Sequence, residues 1–156
     1  MTKEDLKTYI KRFPTSTQLA LKNEDYVVDF ITNTRVNYST ITVYRAVKRE
    51  DFFDGNDFLS IIESKIRMRK IKPEKIETMI NKNKVWNIYW FGTSVNEDIE
   101  ELKNALKYPF GRHKGIVKGL MTKENGLADF IKNNTHHNWY IFQDRMNEVV
   151  NSFEYI

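Results

Sequence analysis

Residues 39–51, STITVYRAVKRED, read as a β-strand with an arginine in its middle. Side chains alternate along a strand, so Ile41, Val43, Arg45 and Val47 share one face, and Thr42, Tyr44, Ala46 and Lys48 share the other. Arg45 falls on the more apolar face, where an unpaired guanidinium is costly. It must be paired, hydrogen-bonded or open to a cleft. Two roles stay open for it: a structural salt bridge with a core carboxylate, or a ligand-facing group.

The segments flanking this strand predict an α+β domain. Before it, TKEDLKTYIKRF places Leu6, Tyr9, Ile10 and Phe13 at helical spacing, with Thr2 as N-cap and Pro14 as stop. STQLALKNEDYVVDFITNTR reads as one bent helix or as two short ones divided near Asn23. After the strand, GNDFLSIIESKIRMRK aligns Phe58, Ile61, Ile62 and Ile66, and PEKIETMINK opens a helix with Pro73 in its first turn. VWNIYWFGTS is rich in aromatics and predicts a buried strand. SVNEDIEELKNAL sets Val95, Ile99, Leu102 and Leu106 on one stripe, and GIVKGLM, NWYIF and NEVVNSFEYI read as strands. The expected sheet therefore holds residues 40–47, 85–92, 116–121 and 139–142. Helices in the first half and strands in the second predict N-terminal helices packed on a mainly antiparallel sheet formed largely by the second half.

At 156 residues, with 40% apolar, 29% charged and 13% aromatic residues, the chain fits one ordered domain spanning 1–156. It has no cysteine, which excludes disulfides, thiolate metal sites and cysteine nucleophiles and is compatible with a reducing cytoplasm. Neither a signal peptide nor a run of membrane-spanning length stands in the sequence, so no membrane partner is expected. The net charge of +4 is unevenly spread: residues 64–84 carry Lys65, Arg67, Arg69, Lys70, Lys72, Lys75, Lys82 and Lys84 against two glutamates. Arg67, Arg69, Lys70 and Lys72 are the candidate nucleic-acid contacts, although such a run also serves as a solvated helix face. No helix-turn-helix, zinc-finger or RNA-recognition signature accompanies it.

TVYRAV after helices, then an apolar strand ending in FGTS, then a terminal NEVV strand together resemble the order of elements in ADP-ribosyltransferase-like domains. In that family a tyrosine-arginine strand, a serine motif and a late glutamate surround NAD. The resemblance implies NAD as cofactor, a macromolecular target, protein or nucleic acid, and cofactor contacts from Arg45 and Tyr44. It also implies catalytic roles for Ser94 and Glu148. The chain departs from the family in carrying YRA where YRG is common and GTS where a serine-threonine-serine is common. Met146 stands two residues before Glu148, so the paired-carboxylate variant is not implied.

The chemistry itself asks for these residue types. Transfer from NAD passes through an oxocarbenium-like ribosyl cation, which needs a cation for the pyrophosphate or ribose, a hydroxyl to orient the ribose and a carboxylate to stabilise positive charge. Each residue also has a structural role open to it. Ser94 followed by Glu97 fits a capping box, and Glu148 fits a surface turn after QDRM. In THHNW, adjacent His136 and His137 point to opposite sides of a strand, and no acidic residues stand at zinc-like spacing, so no metal is expected. His137, beside Trp139, is the candidate histidine for the cofactor, as acid, base or stacking group. The competing reading is a small basic non-enzymatic binding or inhibitor protein, of the kind mobile elements encode, occupying a nucleic-acid or protein surface.

Overall fold

The computed structural model describes residues 1–83, 85–108 and 111–156; Lys84 of the basic segment lies outside them. Helix α1, Lys3–Tyr9, starts at a capping box in which the Thr2 hydroxyl accepts from the Asp5 N–H and the Asp5 carboxylate accepts from the Thr2 N–H. It tightens into a 3₁₀ turn, Ile10–Arg12, before Pro14. The next segment is two short helices, α2 Thr15–Ala20 and α3 Glu24–Asn33, because the Asn23 side chain accepts from the Tyr26 N–H and opens a new helix. Strands β1 Thr34–Arg35 and β2 Ile41–Val47 follow, then α4 Ile61–Arg67 and α5 Ile76–Lys82. The second half carries β3 Thr93–Asn96, α6 Ile99–Leu106, β4 Gly115–Met121, β5 Gly126–Asp129, β6 His136–Ile141, α7 Met146–Asn151 and β7 Glu154–Tyr155.

The strands form one sheet in the order β1-β5-β6-β3-β2-β4-β7, with every described pairing antiparallel. Pairing of β2 with β4 runs from Ile41 opposite Met121 to Val47 opposite Gly115. By contrast, β2 meets β3 only at Tyr44 and Asn96, and the two strands then splay apart. Core lies on both faces, as the alternation along β6 demands. Tyr140 and Phe142 join Phe13, Phe30, Ile62 and Ile76 under the N-terminal helices. Trp139 and Ile141 join Val43, Val47, Phe58, Val95, Val149 and Phe153 on the opposite face. Each large side chain so buried contributes about 1.5–3 kcal/mol. The predicted α+β architecture, helices first and an antiparallel sheet mostly from the second half, is the one found.

Three segments differ from expectation. Residues 85–92 are not a strand: the Asn87 side chain accepts from the Tyr89 N–H and starts a 3₁₀ turn, Ile88–Phe91, so the ladder begins only at Thr93. The stripe from Val95 to Leu106 is split, with Val95 in β3 and the helix starting after Asp98, whose carboxylate caps the Glu100 and Glu101 N–H groups. The expected NEVV strand is α7, and only Glu154 and Tyr155 pair with β4. Packing of Val149 against the second face overrides the strand preference of its valines. No described helix is long and apolar enough to cross a membrane.

Candidate functional site

Where β2 and β3 splay, the Arg45 guanidinium fills the gap. Its Nε donates to the Asp57 carbonyl at 2.5 Å, Nη1 to the Ser94 carbonyl at 2.6 Å and Nη2 to the Leu59 carbonyl at 3.3 Å. The Thr93 hydroxyl takes the intervening Phe58 carbonyl at 2.6 Å, so three consecutive carbonyls are satisfied by two side chains. This seats the fully buried Phe58, whose ring lies 4.8 Å from that of Phe153. Burial pulls the Arg45 pKa down to about 10, with Asp57 opposing, so the group stays charged at neutral pH. The arginine of the opening strand is thus held by carbonyls, while its edge still faces a cleft.

That cleft, about 390 Å³, lies between the sheet, α4 and the 3₁₀ turn Ile88–Phe91. Arg45, Ser94, His136, Asn138 and Asn87 supply its polar groups; Tyr89 and Trp90 give an aromatic wall, and Ile61 and Ile131 stand half-exposed. Register explains the convergence: Ser94 lies opposite Asn138 and Asn96 opposite His136, so Ser94, His136 and Asn138 share one face. A side chain at Gly92 would bring its Cβ to 3.0 Å from the Asn138 Cβ, so glycine there permits the close approach of these two strands. The Ser94 Oγ and the His136 Nε2 are 2.5 Å apart. Asn138 is oriented by Asp129, its N–H reaching one carboxylate oxygen at 2.9 Å and its Nδ2 the other at 2.7 Å.

The electrostatics are set by burial. Desolvation holds the His136 imidazole below its usual pKa, with His137 and Arg45 adding to the effect and Asp129 opposing it. Asp129, fully buried, is raised above the usual carboxylate range because burial outweighs its bonds to Asn138. No Asp or Glu lines the cleft among the described residues. Nor does any group of three or more His, Asp or Glu side chains among them have the arrangement to hold a metal.

The residues expected at a site divide between this cleft and other parts of the fold. Arg45 and Ser94 come together. Tyr44, whose register partner in the sheet is Asn96, does not line the cleft. Glu148 lies on α7, 3.7 Å from the Arg145 guanidinium, and does not line the cleft either, because its segment is a helix rather than a strand. His137 is buried, with Nδ1 2.8 Å from the Asp129 carbonyl and Nε2 3.0 Å from Glu97; the histidine at the cleft is His136. The Ser94–Glu97 capping box does not form, since Ser94 is in the sheet and Asp98 caps α6. His136 and Asn138 were legible in principle: strand parity puts His137 with the apolar Trp139 and Ile141, and so puts His136 with Asn138 on the other face.

Arg67, Arg69, Lys70 and Lys72 lie away from the cleft, exposed around the end of α4. The Lys70 N–H reaches the Lys65 carbonyl at 2.8 Å and the Arg69 N–H the Ile66 carbonyl at 3.0 Å, a Schellman arrangement with Arg69 at φ 60 where glycine is preferred. None of the four has an ion-pair partner among the described residues. Lys65, one turn earlier, sits 5.5 Å over the Trp90 ring at the cleft wall. No protein-family model matches the chain, and comparison with curated proteins and solved structures likewise finds no match.

Proposed function

We propose that the cleft binds a nucleotide-like ligand, anionic at one end and aromatic at the other, and that NAD is its first candidate. The observation that carries this reading is the convergence of a fixed guanidinium, a hydroxyl and an aromatic wall in one cleft of about 390 Å³. Three carbonyls occupy three of the five guanidinium N–H groups, which leaves two donors and a full charge for an anion. Tyr89 and Trp90 offer stacking surfaces for a base or nicotinamide. The sequence likeness of TVYRAV and FGTS to the tyrosine-arginine and serine motifs of ADP-ribosyltransferase-like domains, of which Arg45 and Ser94 reach the cleft, is what selects NAD among nucleotides. Transfer of ADP-ribose to a macromolecular target would need a carboxylate that the described cleft residues do not include, so the reading is one of binding. A chain without cysteine fits the reducing cytoplasm in which NAD is abundant.

Thermal melting with and without NAD tests it. At a hundredfold excess over Kd the ligand stabilises by about 2.7 kcal/mol, which for a domain of this size raises Tm by roughly 5–10 °C. Trp90→Ala is expected to keep the unliganded Tm within a few degrees and to lose most of that rise. A wild-type Tm unmoved by millimolar NAD removes the reading.

A second reading has its own observation: four exposed basic residues on one turn, without an ion-pair partner among the described residues. A small basic protein of the kind mobile elements encode would use this turn against nucleic acid. Affinity for duplex or single-stranded probes is then expected to fall steeply with salt, and R67E/R69E/K70E to weaken all sequences about equally, lowering the salt slope by about one per lost phosphate contact. No detectable binding at low salt leaves the turn as a solvated face.

A further inference from the structure

We infer that Ser94 is a nucleophile activated by His136, and that the cleft takes an ester carrying an aromatic group. The pair has the geometry that nucleophilic catalysis requires, with hydroxyl oxygen and imidazole nitrogen in hydrogen-bond contact at 2.5 Å. Ser94 is exposed to the cleft, whereas His136 is partly enclosed, so an entering substrate meets the hydroxyl from the open side. With the imidazole proton on Nδ1, the Nε2 lone pair faces the Ser94 hydroxyl. Burial, with His137 on β6 and Arg45 on β2 acting in the same direction and Asp129 on β5 opposing them, lowers the His136 pKa and so favours the neutral ring that is free to accept a proton. Arg45 lines the same cleft and keeps two guanidinium N–H groups free of its three carbonyls, so it supplies positive charge for the oxyanion that an ester oxygen becomes. The apolar and aromatic residues Leu59, Ile61, Tyr89, Trp90 and Ile131 favour an uncharged aromatic portion in the rest of the cleft.

In the reaction, the Ser94 oxygen bonds to the ester carbonyl carbon as its proton passes to His136 Nε2. The tetrahedral intermediate collapses with loss of the alcohol, which takes that proton, and leaves acyl-Ser94. Water then adds by the same sequence, releasing the acid and restoring the serine. This inference does not rest on NAD binding, since it concerns covalent chemistry that needs no nucleotide.

Phenylmethylsulfonyl fluoride is the probe. The Ser94 oxygen displaces fluoride from sulfur, the proton goes to His136, and a stable sulfonate ester remains for intact-mass and peptide mapping. Wild-type protein is expected to be modified at Ser94 ahead of the exposed Ser39, at a rate that rises through the His136 pKa, below 6.5, and is level near neutrality. Ser94→Ala removes the adduct, and His136→Gln slows it by about 100-fold or more and abolishes the plateau. Mapping the wild type needs no variant to fold. An unmodified wild-type Ser94, or a His136→Gln chain labelled as fast as wild type, overturns the inference whatever NAD does to the melting curve.

Discussion

Replacing Arg45 by alanine is expected to destabilise the protein by about 3–5 kcal/mol, since hydrogen bonds to a charged donor contribute roughly 1.5–3 kcal/mol each and water entering from the cleft restores only part of three lost bonds. The carbonyls of Asp57, Leu59 and Ser94 lose their donor together. With them goes the bridge that Arg45 makes between the segment that seats Phe58 and strand β3, which leaves the Thr93 hydroxyl on the Phe58 carbonyl to hold the two together. For a domain of this size the loss lowers Tm by roughly 6–20 °C. Arg45→Lys is expected to recover little of it, because an ammonium is a point donor and cannot span three carbonyls in the plane of a fork. Melting of the two variants checks this, and a lysine variant within 2 °C of wild type, roughly 1 kcal/mol or less, would show that the fork is not what holds the segment.

Asn138→Ala is expected to cost about 2–4 kcal/mol near neutral pH, because it removes the Nδ2 donor from the buried Asp129 carboxylate. The sign of the pH dependence follows from the raised Asp129 pKa. A carboxyl whose folded pKa lies above its unfolded value near 3.8 contributes most when protonated, and that contribution is lost as pH rises through the folded pKa. Without Asn138 the folded pKa rises further, so the window of loss widens upward. The deficit of Asn138→Ala against wild type should therefore be small near pH 3.5 and grow towards pH 7.5. Denaturant melts at both pH values measure it. An equal deficit at both would mean that Asn138 contributes by packing alone.

Much of the fold is legible because its signals are local. Thr2 with Asp5, Asn23 before Glu24, and Pro14 and Pro73 mark helix boundaries through backbone chemistry that a few neighbouring residues decide. The strands 41–47 and 115–121 are plain in their β-rich, apolar side chains. Residues 85–92 are not plain, because an aromatic run is equally apolar as strand or turn and the Asn87 side chain tips the backbone towards a turn. The same ambiguity hides α7. Once its valines are helical, Glu148 leaves the cleft and the expected trio of Arg45, Ser94 and Glu148 has only two members there.

What the chain determines by itself is the class of fold, the position of Arg45 on an apolar strand face, the absence of thiol chemistry and the basic turn, since each depends on residue type and short-range periodicity. What the tertiary structure alone decides is which partners Arg45 finds and which histidine joins Ser94. Those depend on the register of β3 against β6 and on the splay of β2 from β3, which bring Ser94 to residues that lie 42 and 49 positions away, and on the loop that returns Asp57 and Leu59 to Arg45. No local propensity encodes such distances. They are set by how two core faces pack on one sheet, and a shift of β6 by one residue would carry His136 to the face of Val95 and Val43 and bring His137 to the cleft.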